Sequence, residues 1–212
     1  PEPEKETPLI PVAQLYARDV PDLAWPPGAD LVQLLWCPFN HDAGDDGWSP
    51  YAELRWRTSG GAGDQLTGPP QPAVVGTDGY LPVPCVVHPE RVTEYPTPYE
   101  LPQRLGGQIE QWTADADTEY HHDLTYAHGC KAGGYIPWGQ MDPYPVLCEQ
   151  CGTASVPLLT LQENEWYCDI WRPVDQAGGA VHPTPTGLSL VYTLQVNMCP
   201  AEPSHSPRLI WP

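Results

Sequence analysis

Cys148-Glu-Gln-Cys151 sets two thiols three positions apart, with Gly152 directly after the second. Thiolates at this spacing can grip one tetrahedral ion, and a glycine behind them relieves the tight turn. Such a pair needs two more ligands. Cys199, at the end of a stretch of alternating hydrophobicity (residues 188–199), and His205 beyond it offer a thiol and an imidazole. If a strand at 156–162 pairs antiparallel with 188–199, the end of the second lies beside the start of the first, and Cys199 returns to Cys151. The expectation is a closed site of Cys148, Cys151, Cys199 and His205 holding a structural zinc ion, with no position left for water or substrate. Sites of this kind contribute about 10–16 kcal/mol of apparent binding free energy in small peptides. Cys37 with His41, and Cys168, stay open as alternatives to His205. Cys37, Cys85 and Cys130 otherwise read as small buried hydrophobes. A redox role for the CxxC fails on context. It leads into Gly-Thr-Ala and a proline-containing strand, not into an amphipathic helix that would lower a thiol pKa.

A second group is weaker. His121, His122 and His128, with Asp117, Glu119 and Asp123, can bind a metal transiently, yet the segment reads as a solvated acidic loop. No GxSxG, HExxH or dinucleotide fingerprint is present, and the SGGAG run is followed by no Lys-Ser/Thr. No catalytic residue is assigned, and a non-enzyme is expected. A metal-dependent hydrolase built on the His-rich segment is the alternative of a different class, and a structural subunit of a larger assembly is a third.

The elements that must carry these residues are mostly strands. Pro 29 and Gly 19 in 212 residues limit long helices, because each proline removes a backbone donor and fixes φ. The large apolar residues are nine Trp and eleven Tyr against one Phe. The expected class is mainly β (α+β): an antiparallel, loop-rich, Pro- and Trp-rich sheet domain with a zinc knuckle and few short helices. Residues 29–37 read as a buried strand ending at Cys37-Pro38, and residues 51–57 as its hairpin partner. Residues 85–92 read as a short strand. Residues 101–112 read as a helix, with Leu101, Leu105, Ile109 and Trp112 at helical spacing. In 188–199, Leu188, Leu190, Tyr192, Leu194, Val196 and Met198 fall on one face of a strand with one buried side. Residues 1–12 read as an extended arm and 13–212 as a single domain.

Asp+Glu is 27 against Lys+Arg 9, a net charge of -18. That balance excludes nucleic acid and anionic membranes as partners and favours a basic protein. No apolar run reaches transmembrane length. Seven cysteines, an odd number, together with a CxxC favour a reducing, cytoplasmic setting over a disulfide framework.

Lys131-Ala-Gly-Gly-Tyr-Ile-Pro-Trp138, Asp142-Pro143, the CxxCG and Leu158-Leu-Thr-Leu-Gln162 together resemble the YwqG-like family of uncharacterised bacterial proteins. Leu35–His41, Cys85–Glu90 and Val92–Pro96 add likeness to an actinobacterial branch of it. The same ordered set partly resembles the programmed cell death protein 2 family, whose members are similar to dedicated chaperones of a ribosomal protein. That likeness puts the family's later cysteine pair on Cys199 and His205, so one thiolate is replaced. With the acidic charge it implies a protein-binding module, chaperone-like; within that class an immunity-like role, masking a basic toxin, is the companion expectation. Gly133 and Gly134 permit close backbone approach before Tyr135 and Trp138, and these four residues form the candidate partner-binding set.

Overall fold

The computed structural model describes residues 7–44, 47–61, 63, 67–68, 71–116, 118–139, 141–165, 171–172 and 186–212. Cys168 and Asp117 lie outside these residues. The described chain is mainly β, with seven strands in two antiparallel sheets and two α-helices. The first sheet has the order β1 (Ile10–Tyr16), β2 (Leu31–Asp42), β3 (Trp48–Arg57). The second has the order β4 (Lys131–Ala132), β5 (Val156–Leu161), β6 (Leu194–Met198), β7 (Arg208–Ile210).

Prolines decide where the ladders break. β2 continues past Pro38 instead of ending there. It does so by leaving the ladder: Trp36 pairs with Ala52 and the next pair is Asn40 with Pro50. Pro38 has no N–H to donate, so the strand bulges around it. Its carbonyl is still used, accepting from the amides of Gly76 and Thr77 at 3.0 and 3.1 Å. Pro157 sits at the corresponding irregularity of β5, and Pro11 lies on the edge strand β1, both places where a missing donor is tolerated. The arm expected to reach residue 12 is shorter: Ile10 and Pro11 already pair with Trp36 and Leu35.

Both sheets feed one core. Leu34 and Trp36 from β2 meet Leu158 and Leu161 from β5 and Leu194, Val196 and Met198 from β6. Trp36 is fully buried, and its indole N–H donates to the Tyr80 carbonyl at 2.9 Å. A satellite cluster of Ile136, Trp138, Val146 and Ile210 packs at the far side of β7.

Three expectations are corrected. The alternating stretch is a strand only from Leu194 on, because β5 ends at Leu161, opposite Leu194, and offers no further ladder partners. The chain bends at Val191-Tyr192, so Tyr192 is exposed while Leu188 and Leu190 stay in the core. β6 is buried on both faces: Gln195 and Asn197 are covered too, with Gln195 accepting from the Thr160 hydroxyl at 2.7 Å. Residues 85–92 form no strand and are exposed throughout, since Pro84 and Pro89 remove donors and no neighbouring strand runs beside them. Cys85 is therefore a surface thiol and not a buried one. The helix α1 spans Gln103–Asp115, and one further turn, α2, spans Tyr120–Asp123. Among the described residues no helix is long and apolar enough to cross a membrane.

A buried ion pair pins the loop before β5. Glu94 and Lys131 are 5% and 10% exposed and meet at 2.7 Å. Every Glu94 oxygen is used: Oε1 also accepts from the Ala127 amide and Oε2 from the Tyr135 amide. Lys131 donates in addition to the Tyr135 carbonyl at 2.7 Å. Burial lowers the Lys131 pKa, and the Glu94 carboxylate opposes that shift. Removing one partner of such a pair strands the other charge without compensation. Glu94→Gln is expected to cost about 3–5 kcal/mol in urea unfolding, whereas Glu94→Leu combined with Lys131→Met should cost markedly less. Equal losses in the single and double variants would show that the pair is not what holds this loop.

Candidate metal centre

The centre is assembled by two hairpin ends on one rim of the second sheet. The first is the knuckle. Leu147 and Ala154 bridge antiparallel, the Ser155 amide donates to the Val146 carbonyl, and the Cys148 amide donates to the Thr153 carbonyl at 2.8 Å. Within that frame the Gly152 amide donates back to the Cys148 carbonyl at 2.8 Å, and Gly152 takes φ +71°. An L side chain is strained in that region, so the glycine is needed for its backbone rather than for space. The knuckle runs straight into β5.

The second end is the connection from β6 to β7. Val156 pairs with Met198, so Cys199 leaves the sheet beside the knuckle. Asn197 pairs with Arg208, and the turn between these strands carries His205, whose amide donates to the Glu202 carbonyl. Two contacts lock the ends together: the Ser206 amide donates to Gln150 Oε1 at 2.7 Å, and Arg208 forms an ion pair with Glu149.

Cys148, Cys151, Cys199 and His205 thereby place one ligand atom each within 4.8 Å of all the others. Cys148 Sγ lies 3.4 Å from His205 Nδ1, and Cys151 Sγ lies 3.5 Å from Cys199 Sγ. A tetrahedron with metal–sulfur bonds of about 2.3 Å has sulfur–sulfur edges of about 3.8 Å. The separations are therefore near those of ligands around one ion, and far beyond the ~2.05 Å of a disulfide. The four residues can bind a metal. Three thiolates and one imidazole suit a soft or borderline ion and leave a tetrahedral one no open position.

The thiols are not equivalent. Cys151 is exposed, and its pKa is pulled down to about 6. The Thr153 hydroxyl, 3.3 Å away, is the main cause, followed by the Thr153 amide. The shift favours the deprotonated, metal-ligating form of Cys151. Burial raises Cys199, against the Glu202 amide that lowers it. A cation at the centre would favour the deprotonated form of this buried thiol.

The other candidates fall elsewhere. Cys37 is buried in β2, and its thiol is raised by burial. Cys130 lies against Gln162, whose amide donates to its sulfur at 3.5 Å, and burial pushes it up to about 11. The His-rich stretch forms an aromatic chain instead of a metal group: His121 packs on Tyr126, His122 on His128, and His122 pairs with Asp123 at 2.8 Å. Among the described residues no second group of three or more potential ligands converges.

Of the expected partner-binding residues, Trp138 is corrected. It is 6% exposed and packs on Tyr144 in the satellite core, so its indole supports β7 and does not face outward. Gly133 and Gly134 both take positive φ, and a Cβ on Gly134 would meet Glu94 Oε2 at 2.2 Å. Their freedom serves the buried ion pair. Tyr135 stays exposed. Glu94, the acceptor that organises this loop, was not singled out from the sequence.

Comparison with protein-family models, with curated proteins and with solved structures finds no match for this chain.

Cys148→Ser and Cys199→Ser are each expected to lower bound metal well below one per chain by elemental analysis, and a chelator should lower the melting temperature of the wild type but not of these variants. Full metal retention by either variant would remove that residue from the ligand set.

Proposed function

We propose that this chain is a non-enzymatic protein-binding module, closed by a structural zinc ion, that holds or masks a basic protein partner. The observation that carries the reading is the convergence of Cys148, Cys151, Cys199 and His205 across two hairpin ends. Zinc is the ion of choice for a Cys3His set. It has no redox chemistry, accepts tetrahedral geometry without electronic preference, and in a four-ligand site serves folding and not catalysis. The energy it contributes is folding energy, because no such site exists in the unfolded chain.

The partner class rests on charge. A surface carrying -18 attracts a basic protein at long range and repels nucleic acid. The likeness to the YwqG-like and programmed cell death protein 2 families supports a chaperone-like or immunity-like role in a reducing, cytoplasmic compartment. The hydrolase alternative draws no support from the His-rich stretch, whose described members do not converge on an ion.

Affinity purification from the source cells, followed by mass spectrometry, tests the reading. The expected result is a basic protein recovered at low salt and largely released at high salt, with about one zinc per chain in the purified protein. Recovery of only neutral or acidic proteins, insensitive to salt, would refute the partner class, and absence of zinc would refute the structural role of the ion.

A further inference from the structure

α1 is an amphipathic helix whose apolar stripe is only partly covered, with Ile109 half-buried and Leu105 and Trp112 exposed. Leu105, Ile109 and Trp112 follow at i, i+4 and i+7, the spacing that normally faces a core. Here the buried residue of the helix is Gly106. Leu105 is 43% exposed and Trp112 48%. The helix meets the turn Pro98–Glu100 on its Gly106 side, where an added Cβ would stand in ordinary contact, 3.5 Å from the Pro98 carbonyl. The helix is thus held by its glycine side, and two large apolar side chains are left to solvent.

The same platform presents tyrosines. Tyr99, on the turn beneath α1, is 76% exposed. Tyr95 follows Glu94 in the chain, and the amide of Tyr135 donates to the Glu94 carboxylate, so the buried ion pair fixes the backbone of both. Both rings are also exposed. Around these side chains the charge is one-sided. Glu100, Glu110, Asp115 and Glu119 are exposed, and Arg104 is the one Lys or Arg between 94 and 123, with His121 and His122 also in that span. The Lys131 charge is already engaged by Glu94.

We propose that this face docks an extended arginine- and lysine-rich segment of the basic partner. The inference rests on the proposed function and names its surface. Arginine and lysine combine an apolar stem with a cationic head. The stem suits Leu105 and Trp112, the head suits an aromatic face and the surrounding carboxylates, and guanidinium stacks well on Trp and Tyr. A second copy of this chain is the poorer occupant, because it would press two acidic faces together.

Fluorescence anisotropy of a labelled peptide of alternating arginine and glycine tests the surface on the full chain. The wild type should bind it, and the same peptide with glutamine for arginine should not bind. Trp112→Ala and Tyr99→Ala should each weaken binding about tenfold or more, with melting temperature and metal content unchanged. Trp48→Ala, at a still more open tryptophan on β3, should leave binding within about twofold. Equal affinity of Trp112→Ala and wild type would overturn the surface while leaving the basic-partner reading intact. Failure of the wild type to bind the arginine peptide would overturn the surface as well, and the pull-down would decide the wider reading separately. A wild-type dimer that Trp112→Ala converts to monomer would assign the face to self-association and overturn the proposal.

Discussion

The pairing of β5 with β6 is the constraint on which the rest depends. Its register, with Val156 opposite Met198 and Leu161 opposite Leu194, does two things at once. It stacks Leu158, Leu194 and Val196, all fully buried, into the core shared by both sheets. It also brings Cys199 out beside the knuckle, so that residues about fifty positions apart in sequence meet at one ion-sized point. A one-residue slip would turn the apolar set of β6 over and carry Cys199 away from Cys151. The covered polar side chains on β6 resist that slip. Gln195 has a defined acceptor role toward Thr160, and Asn197 donates to the Arg208 carbonyl at 3.3 Å, which fixes β7 in turn.

Much of the centre was legible because it follows from a local period. The alternation around Leu194, Val196 and Met198 marks a strand, and the CxxC marks a turn, so antiparallel pairing alone returns Cys199 to it. Among the described residues, the β6–β7 turn brings His205 Nδ1 to Cys148, while Cys37 and His41 do not join the group. β7 itself was not foreseen. Three residues, Arg208–Ile210, are too few to show a period. β4 is shorter still, and β1 carries a proline that disguises it.

What sequence could not show is mostly non-local. Glu94 meets Lys131 across 37 residues, and nothing near either side chain announces the other. Trp138 looks like a surface aromatic beside two glycines, yet Ile136 of its own loop, Val146 before the knuckle and Ile210 of β7 enclose it. α1 errs in the opposite direction. Its spacing is that of a core-facing helix, yet Leu105 and Trp112 stay exposed. Residues 85–92 have the composition of a strand and no neighbour to pair with. In each case the residue type was read correctly, and its surroundings were set by a distant part of the fold.

The order of the two hairpin ends has a consequence during synthesis. Cys148 and Cys151 emerge first, followed by β5, whose ladder toward β6 has no partner until Leu194–Met198 is made. At about 5–20 residues per second that interval lasts roughly two to seven seconds. For that time the nascent chain has an unpaired, apolar strand edge and only the Cys148–Cys151 half of the ion site. Completion of the strand pair closes the edge and delivers Cys199 to the knuckle, so both exposures end in one step.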